Sequence, residues 1–398
     1  MKLKVGTDFS GIGSPETALK RLNIPHENVF ACDIDKYAKA SYLELHDPGK
    51  FYDNITTRDH TKVERLDLYV AGFPCQAFSY AGKRKGFADE TRGTLFFDVA
   101  EFIRTNKPTC FILENVRGLV SHDKGRTFQT ITDILSNGGG SLNGQVGLDT
   151  IDNGLGYHVY YKMLNTKNFG IPQNRERIFI VGFKNWREFR FPKEFPLDIT
   201  LKDLLEDDVP EKYNLSDKAI KSIIENPKNL QKSNVDPNIA SALQCPGHSA
   251  GVYKGANFIT IHNLHPRCGD PKKGGTGHLS KTDGIAYCLD AANSIAVELP
   301  KIIGYTRDKN GKVSSRHLKD EANTLHSATG GGGNTDQFVY NKQIRKLTPL
   351  ETWRLQGFTD KEFWKAQKVN SDTQLYKQAG NTITVNVMVE IFKKIYLK

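Results

Sequence analysis

Cys75 has the setting of a nucleophile. It follows Pro74 directly, at the end of the apolar run 66–71 and the pair Gly72-Phe73, and leads into a polar, Gly-rich stretch carrying Lys83, Arg84 and Lys85. A thiol on a loop at a strand end, beside cations that favour its ionised form, is poised to attack. Isolated cysteines are more often buried and inert, and the polar flank argues against that here. Glu114 ends the apolar run 111–113, where an acid would face a cleft; a surface helix cap is its plainer role. Arg175 and Arg177 alternate ahead of the apolar run 178–181, so an extended segment would turn both to one face; a salt-bridged edge is the plainer role. The turn Asp8-Phe9-Ser10-Gly11-Ile12-Gly13-Ser14 gives G-x-G, but Glu16 stands where a dinucleotide fingerprint has its third glycine. A pyrophosphate there would meet a carboxylate, so a nucleoside cofactor without phosphates fits better. Asp33, at the end of the second apolar run, is where an acid would take ribose hydroxyls.

The elements that must hold these groups alternate along the first half of the chain. Strands are expected at 4–7, 28–32, 66–71, 109–113, 158–164 and 178–181, and helices at 16–22, 36–45, 95–104 and 128–135. Such alternation predicts an α/β fold, a mostly parallel sheet with helices on both faces and ligands beyond the C-terminal strand ends. Residues 137–156 read as a Gly/Asn-rich surface insertion, and helices return after Arg345, at 348–356 and 382–396. Between about 184 and 342 helical periodicity fades. There Ala240-Ser241-Ala242-Leu243, Ala286-Tyr287-Cys288-Leu289 and Ala322-Asn323-Thr324-Leu325 share an A-x-x-L core followed by short apolar segments (Phe258-Ile259, Ile295-Ala296-Val297, Phe338-Val339). They suggest three strand-turn-strand units of a β-rich domain.

The 398 residues suffice for two or three domains. Lys and Arg number 55 against 45 Asp and Glu, a basic balance that suits a polyanionic partner. No window approaches a membrane span, and the six cysteines form no C-x-x-C pair, so a reducing cytoplasm is expected.

Taken together and in order, these motifs closely resemble the DNA cytosine-5 methyltransferase family of bacterial and phage type. The matching residues are Phe9-x-Gly11-x-Gly13, Gly72-Phe73-Pro74-Cys75-Gln76, Arg92-Gly93-Thr94-Leu95-Phe96, Glu114-Asn115-Val116, Gln173-x-Arg175-x-Arg177, Arg345-x-Leu347-Thr348, Glu351, Arg354-Leu355-Gln356-Gly357-Phe358 and Gln378-x-Gly380-Asn381. The resemblance implies a Rossmann-like S-adenosylmethionine-dependent domain from 1–183 plus 343–398. A smaller β-rich target-recognition domain would span 184–342. It implies that Cys75 adds to C6 of a cytosine flipped out of duplex DNA, making C5 nucleophilic. Glu114 would hold N3 and the exocyclic amine, Arg177 the O2 edge, and Arg175 would order the nucleophile loop. S-adenosylmethionine would lie among Phe9, Gly11, Gly13, Asp33, Ile34, Asn54, Ile55, Pro74, Leu95 and Asn381. Gln76, Ser79, Lys83, Arg84 and Lys85 would meet DNA, with the loop 79–92 closing over the base. The chain departs from the usual pattern in Asp33 for glutamate, Asn54 for an acid, Ser10 for alanine and Thr359 for proline. A monomer is expected, serving restriction-modification beside a separate cognate endonuclease or phage self-protection.

Two further readings weigh less. A tRNA methyltransferase on this scaffold is disfavoured by so long a variable segment, and a silent DNA-binding regulator by the intact Cys75, Glu114, Arg175 and Arg177. Cys245-x-x-His248 and His262-x-x-His265-x-x-Cys268 have zinc-ligand spacing. Such residues also suit base contacts and turns, and the family's chemistry needs no metal, so none is expected.

Overall fold

The computed structural model describes residues 2–74, 95–136, 154–214, 260–263, 279–281, 295–307, 313–319 and 339–397. The chain divides into two compact units, Met1–Ile199 with Cys288–Ala292 and Pro349–Lys398, and Thr200–Tyr287 with Asn293–Thr348.

The first unit is built on seven strands: β1 (Leu3–Asp8), β2 (His26–Cys32), β3 (Lys50–Tyr52), β4 (Leu68–Ala71), β5 (Cys110–Val116), β6 (His158–Asn165) and β7 (Glu176–Phe183). Their order is β3-β2-β1-β4-β5-β7-β6. The strands from β3 to β5 run parallel, and β7 is antiparallel to both β5 and β6. The central strands are near-continuous apolar runs because both faces are covered; all of β4 is buried.

Helices α1 (Ser14–Arg21), α2 (Lys36–Leu45), α3 (Leu95–Asn106), α4 (Gly118–Ser121) and α5 (Arg126–Leu135) fill the crossovers and the segment after β5. Phe96, Phe102 and Ile103 of α3, with Phe128, Ile131 and Leu135 of α5, join one core with Phe30, Tyr69 and Phe111 of the sheet. After Thr348 the chain returns as α6 (Pro349–Arg354), α7 (Asp360–Gln367), α8 (Asp372–Asn381) and α9 (Val385–Tyr396). Helix α9 packs on α1, and α7 on α2. Trp353 is fully buried, its indole N–H donating to Leu375 O at 3.0 Å.

In the second unit β10 (Ile295–Arg307) pairs antiparallel with β8 (Thr260–Asn263), β11 (Val313–Lys319) and β12 (Val339–Lys346), and β9 (Leu279–Lys281) pairs with β8. The three A-x-x-L segments lie outside the described residues, while Ile295 opens β10 and Val339 opens β12. Of the zinc-like pattern only His262, in β8, is described.

Strand β3 and helices α7 and α8 were not anticipated. β3 is a three-residue edge strand, too short to show alternation. Helix α7 did carry a signal, the capping box Thr359-x-x-Glu362, with Thr359 N donating to Glu362 Oε2 at 2.7 Å. Among the described residues no helix is long and apolar enough to cross a membrane.

Candidate active site

Strand register brings the C-terminal ends of the parallel strands into one row. Asp8 pairs with Cys32 and with Ala71, Cys32 with Tyr52, Ala71 with Leu113, and Leu113 with Ile180. The segments that leave this row carry Phe9 to Gly13, Asp33 and Ile34, Asn54 and Ile55, and Gly72 to Pro74, while Glu114 is the next residue of β5 after Leu113.

Glu114 is almost buried, and its Oε1 lies 3.0 Å from Arg177 Nε. β5 and β7 are antiparallel with Val116 opposite Arg177, which places the arginine beside the acid. Burial pushes the Glu114 carboxyl up from its ordinary range, and the positive charges of Arg177 and Arg175 pull it back. Its Oε2 stands 3.5 Å from where a Cβ on Gly72 would be, so the acid flanks the segment leading to Cys75. Asn115 donates from Nδ2 to Phe73 O at 2.8 Å and pins that segment. Phe73 is buried against Phe96, and Pro74 is exposed. The motif around Glu114 was legible in sequence; the pinning role of Asn115 was not. Cys75, Gln76, Ser79, Lys83, Arg84 and Lys85 lie outside the described residues.

Arg175 and Arg177 serve different partners. The buried Arg175 guanidinium donates to Gly380 O at 3.1 Å and Thr382 O at 2.8 Å, bracketing the exposed Asn381. Ser14 at the start of α1 and Thr382 share a hydroxyl hydrogen bond of 2.7 Å. Thus Asn381 is held beside the glycine turn from two sides.

In that turn Phe9, Gly11 and Gly13 all have positive φ, 53°, 54° and 79°. Gly13 is required: a Cβ there would stand 2.3 Å from the His46 ring. His46 is buried and pushed down to about 3, first by burial and then by Lys20, so its imidazole is neutral. The Asp33 carboxylate accepts from Gly11 N and Asp35 N, both at 2.9 Å, and burial raises its pKa. Ile34, next to it, is 80% exposed. Asn54 Oδ1 accepts from Thr56 N at 3.0 Å, capping its own turn, and Ile55 is buried. Leu95 opens α3, half-buried against the core. An exposed apolar residue beside an acid and a tight glycine turn suits a nucleoside.

Two groups have roles that sequence reasoning did not give them. Glu16 does not project from the start of α1 towards a ligand. It is fully buried, its Oε1 2.8 Å from Thr7 Oγ1 and 2.7 Å from Tyr42 OH, with Oε2 unpartnered. Asp8 forms a buried, bidentate pair with Arg58 at 2.7 and 2.6 Å and accepts from Tyr69 OH at 2.7 Å. The Arg58 guanidinium lies 4.3 Å from the Phe30 ring and 4.6 Å from that of Phe102, which fixes the turn carrying Asn54 and Ile55 to the sheet.

The C-5 cytosine-specific DNA methylase family model matches residues 8–397. The chain is 32% identical to the orphan methyltransferase M.SPRI of Bacillus phage SPR, over 99% of the chain and 97% of that protein. It is 35% identical to the type II methyltransferase M.HpaII of Haemophilus parainfluenzae, over 98% of the chain and 88% of that protein. The structure of the S. pombe Dnmt2 methyltransferase shares the fold, with a TM-score of 0.55 at 20% identity, covering 100% of this chain and 98% of that one.

Proposed function

The chain belongs to the C-5 cytosine-specific DNA methylase family, and from that premise we propose that it methylates C5 of a flipped cytosine in a specific duplex sequence, through a covalent adduct of Cys75 with C6. The observation that carries this reading is the Glu114–Arg177 pair beside the backbone that leads to Cys75. Buried acid and adjacent guanidinium match the N3 and O2 edge of a cytosine.

The Cys75 thiolate bonds to C6 and the ring electron pair shifts towards N3, where Glu114 donates its proton. The raised pKa of Glu114 supports that role, because the carboxyl must hold a proton until the addition. Arg177 takes the O2 edge, and Arg175 holds the backbone around Asn381. S-adenosylmethionine supplies the electrophilic methyl group. Asp33 would meet its ribose, Ile34 and Phe9 its adenine, and Gly11 and Gly13 its methionine end, with Asn54, Ile55, Pro74, Leu95 and Asn381 completing the pocket. Once C5 has taken the methyl group and S-adenosylhomocysteine is released, a base removes the C5 proton, Cys75 leaves as thiolate and the N3 proton returns to Glu114.

The segment 184–342 would read the target sequence, with Gln76, Ser79, Lys83, Arg84 and Lys85 on the DNA. The type II and orphan phage methyltransferases among its relatives support a role in restriction-modification or phage self-protection, and the chain would act as a cytoplasmic monomer. The test offers duplex DNA containing 5-fluorocytosine, together with S-adenosylmethionine. The wild type should form a covalent protein–DNA adduct stable to denaturation, and Cys75→Ser none. Methyl label entering tRNA alone, or neither nucleic acid, would overturn the reading.

A further inference from the structure

We infer that the opposite end of the first unit's sheet is a second docking surface for duplex DNA, formed by Arg65, Lys107 and Lys184 beside the exposed indole of Trp186. This rests on the proposed action on DNA but concerns a different segment of it.

Arg65 stands ahead of β4, Lys107 ahead of β5, and Lys184 directly after β7, three neighbouring strands. Backbone hydrogen bonds stitch this end together, Thr109 N to Leu66 O at 3.2 Å and Lys184 N to Thr109 O at 3.0 Å. Arg65 and Lys107 are exposed and Lys184 half-buried. Among the described residues none of the three forms an ion pair, while the acids nearby are engaged elsewhere. Glu64 pairs with Lys4, the Asp67 carboxylate accepts from Lys4 N at 2.9 Å, and Glu188 pairs with Arg190. The three cations are also close enough to repel. Burial, then Lys107 and Arg65, lowers the pKa of Lys184, whose ammonium lies 5.6 Å from the Tyr157 ring centre.

Three cations gathered on a rigid sheet end, none of them paired with the acids beside them, favour a polyanion. Trp186, two residues beyond Lys184, is 71% exposed and adds a flat apolar contact. Three cations on a fixed frame suit the regular phosphates of a duplex. One indole offers no track for stacking successive unpaired bases, which disfavours a single strand. Lys184 is separated from Arg177 by most of β7, roughly 23 Å at the rise of an extended strand. The two sites lie at opposite ends of the sheet, and this surface is assigned to a segment other than the one whose cytosine reacts, as a chain moving between DNA segments would require.

The experiment counts short duplexes bound per protein, by mass, for the wild type and for the R65E/K107E/K184E variant. Trp186→Phe reports the fluorescence of the second binding event. The wild type should bind two duplexes at low salt. Three phosphate contacts predict a loss of about 40-fold in the second affinity between 50 and 200 mM salt, from a slope of about −2.7. The triple variant should bind one duplex and methylate it at the wild-type single-turnover rate. Should that variant fail to fold, K107Q/K184Q replaces it, with the second affinity lowered. A wild type that binds only one duplex, a variant that keeps two, or a preference of this surface for single strands overturns the inference. Absent methylation by a wild type that still binds two duplexes would count against the proposed reaction and not against this surface.

Discussion

A fully buried carboxyl with one oxygen unpartnered holds its proton more tightly than a solvated one, and Glu16 is such a group. Ser10 Oγ accepts from Cys32 N at 2.8 Å and commits its own proton to Thr7 O at 2.9 Å. Thr7 has one hydroxyl proton for two neighbours, Ser10 Oγ at 3.0 Å and Glu16 Oε1 at 2.8 Å. Tyr42 OH donates to the same Oε1, and Oε2 has no partner. Burial accordingly raises its pKa above the ordinary 4.5. The native state then holds a proton that the unfolded chain releases, so stability falls as pH rises from 4.5 towards the native value. Glu16→Gln, which stays neutral, should lose less stability than the wild type over that rise, as read by urea denaturation at a series of pH values. Glu114 is also raised by burial, but it faces the candidate cleft. Glu114→Gln should lower kcat by about 10²–10⁴-fold, the usual worth of a general acid, and leave the dissociation constant for S-adenosylhomocysteine unchanged. Calorimetry and single-turnover kinetics measure the two separately.

Among the elements, β7 depends on its glycine. A Cβ on Gly182 would stand 2.1 to 2.7 Å from three atoms of the Phe111 ring on β5. Gly182→Ala should therefore cost about 1–3 kcal/mol in chemical denaturation, and Phe111→Leu in the same chain should recover part of it. The central strands were legible in the sequence because both faces of the sheet are covered there, so β4 and β5 read as apolar runs. The helix expected at 36–45 has those bounds in the structure, where Asp35 caps it. What sequence could not supply was pairing between distant segments. Alternation would turn Arg175 and Arg177 to one face, but Arg175 turns to carbonyls that lie 205 and 207 residues further on. Glu16 looked like a repellent charge at a helix start because Tyr42, which helps to bury it, comes from the next helix.

At the scale of the molecule, the first unit is closed by its last helices. Helix α9 covers α1, Gln173 Nε2 donates to Leu355 O at 2.6 Å, and Gln356 Nε2 donates to Ala379 O at 2.7 Å. A chain ending at Thr348 leaves the buried face of α1, with Ala18 and Leu19, open to water. It should lack a cooperative thermal transition for this unit and fail to bind S-adenosylhomocysteine. Residues 349–398 added as a separate peptide should restore both, which circular dichroism and calorimetry would register.

The Ser14–Thr382 hydrogen bond joins residues 368 apart in the chain. At about 5–20 residues per second of synthesis, the glycine turn waits roughly 20–75 s on the ribosome for its partner. The glycine turn and the backbone around Asn381 therefore come together only after the segment carrying Thr382 has been made, and a chain interrupted before it leaves that turn without this partner.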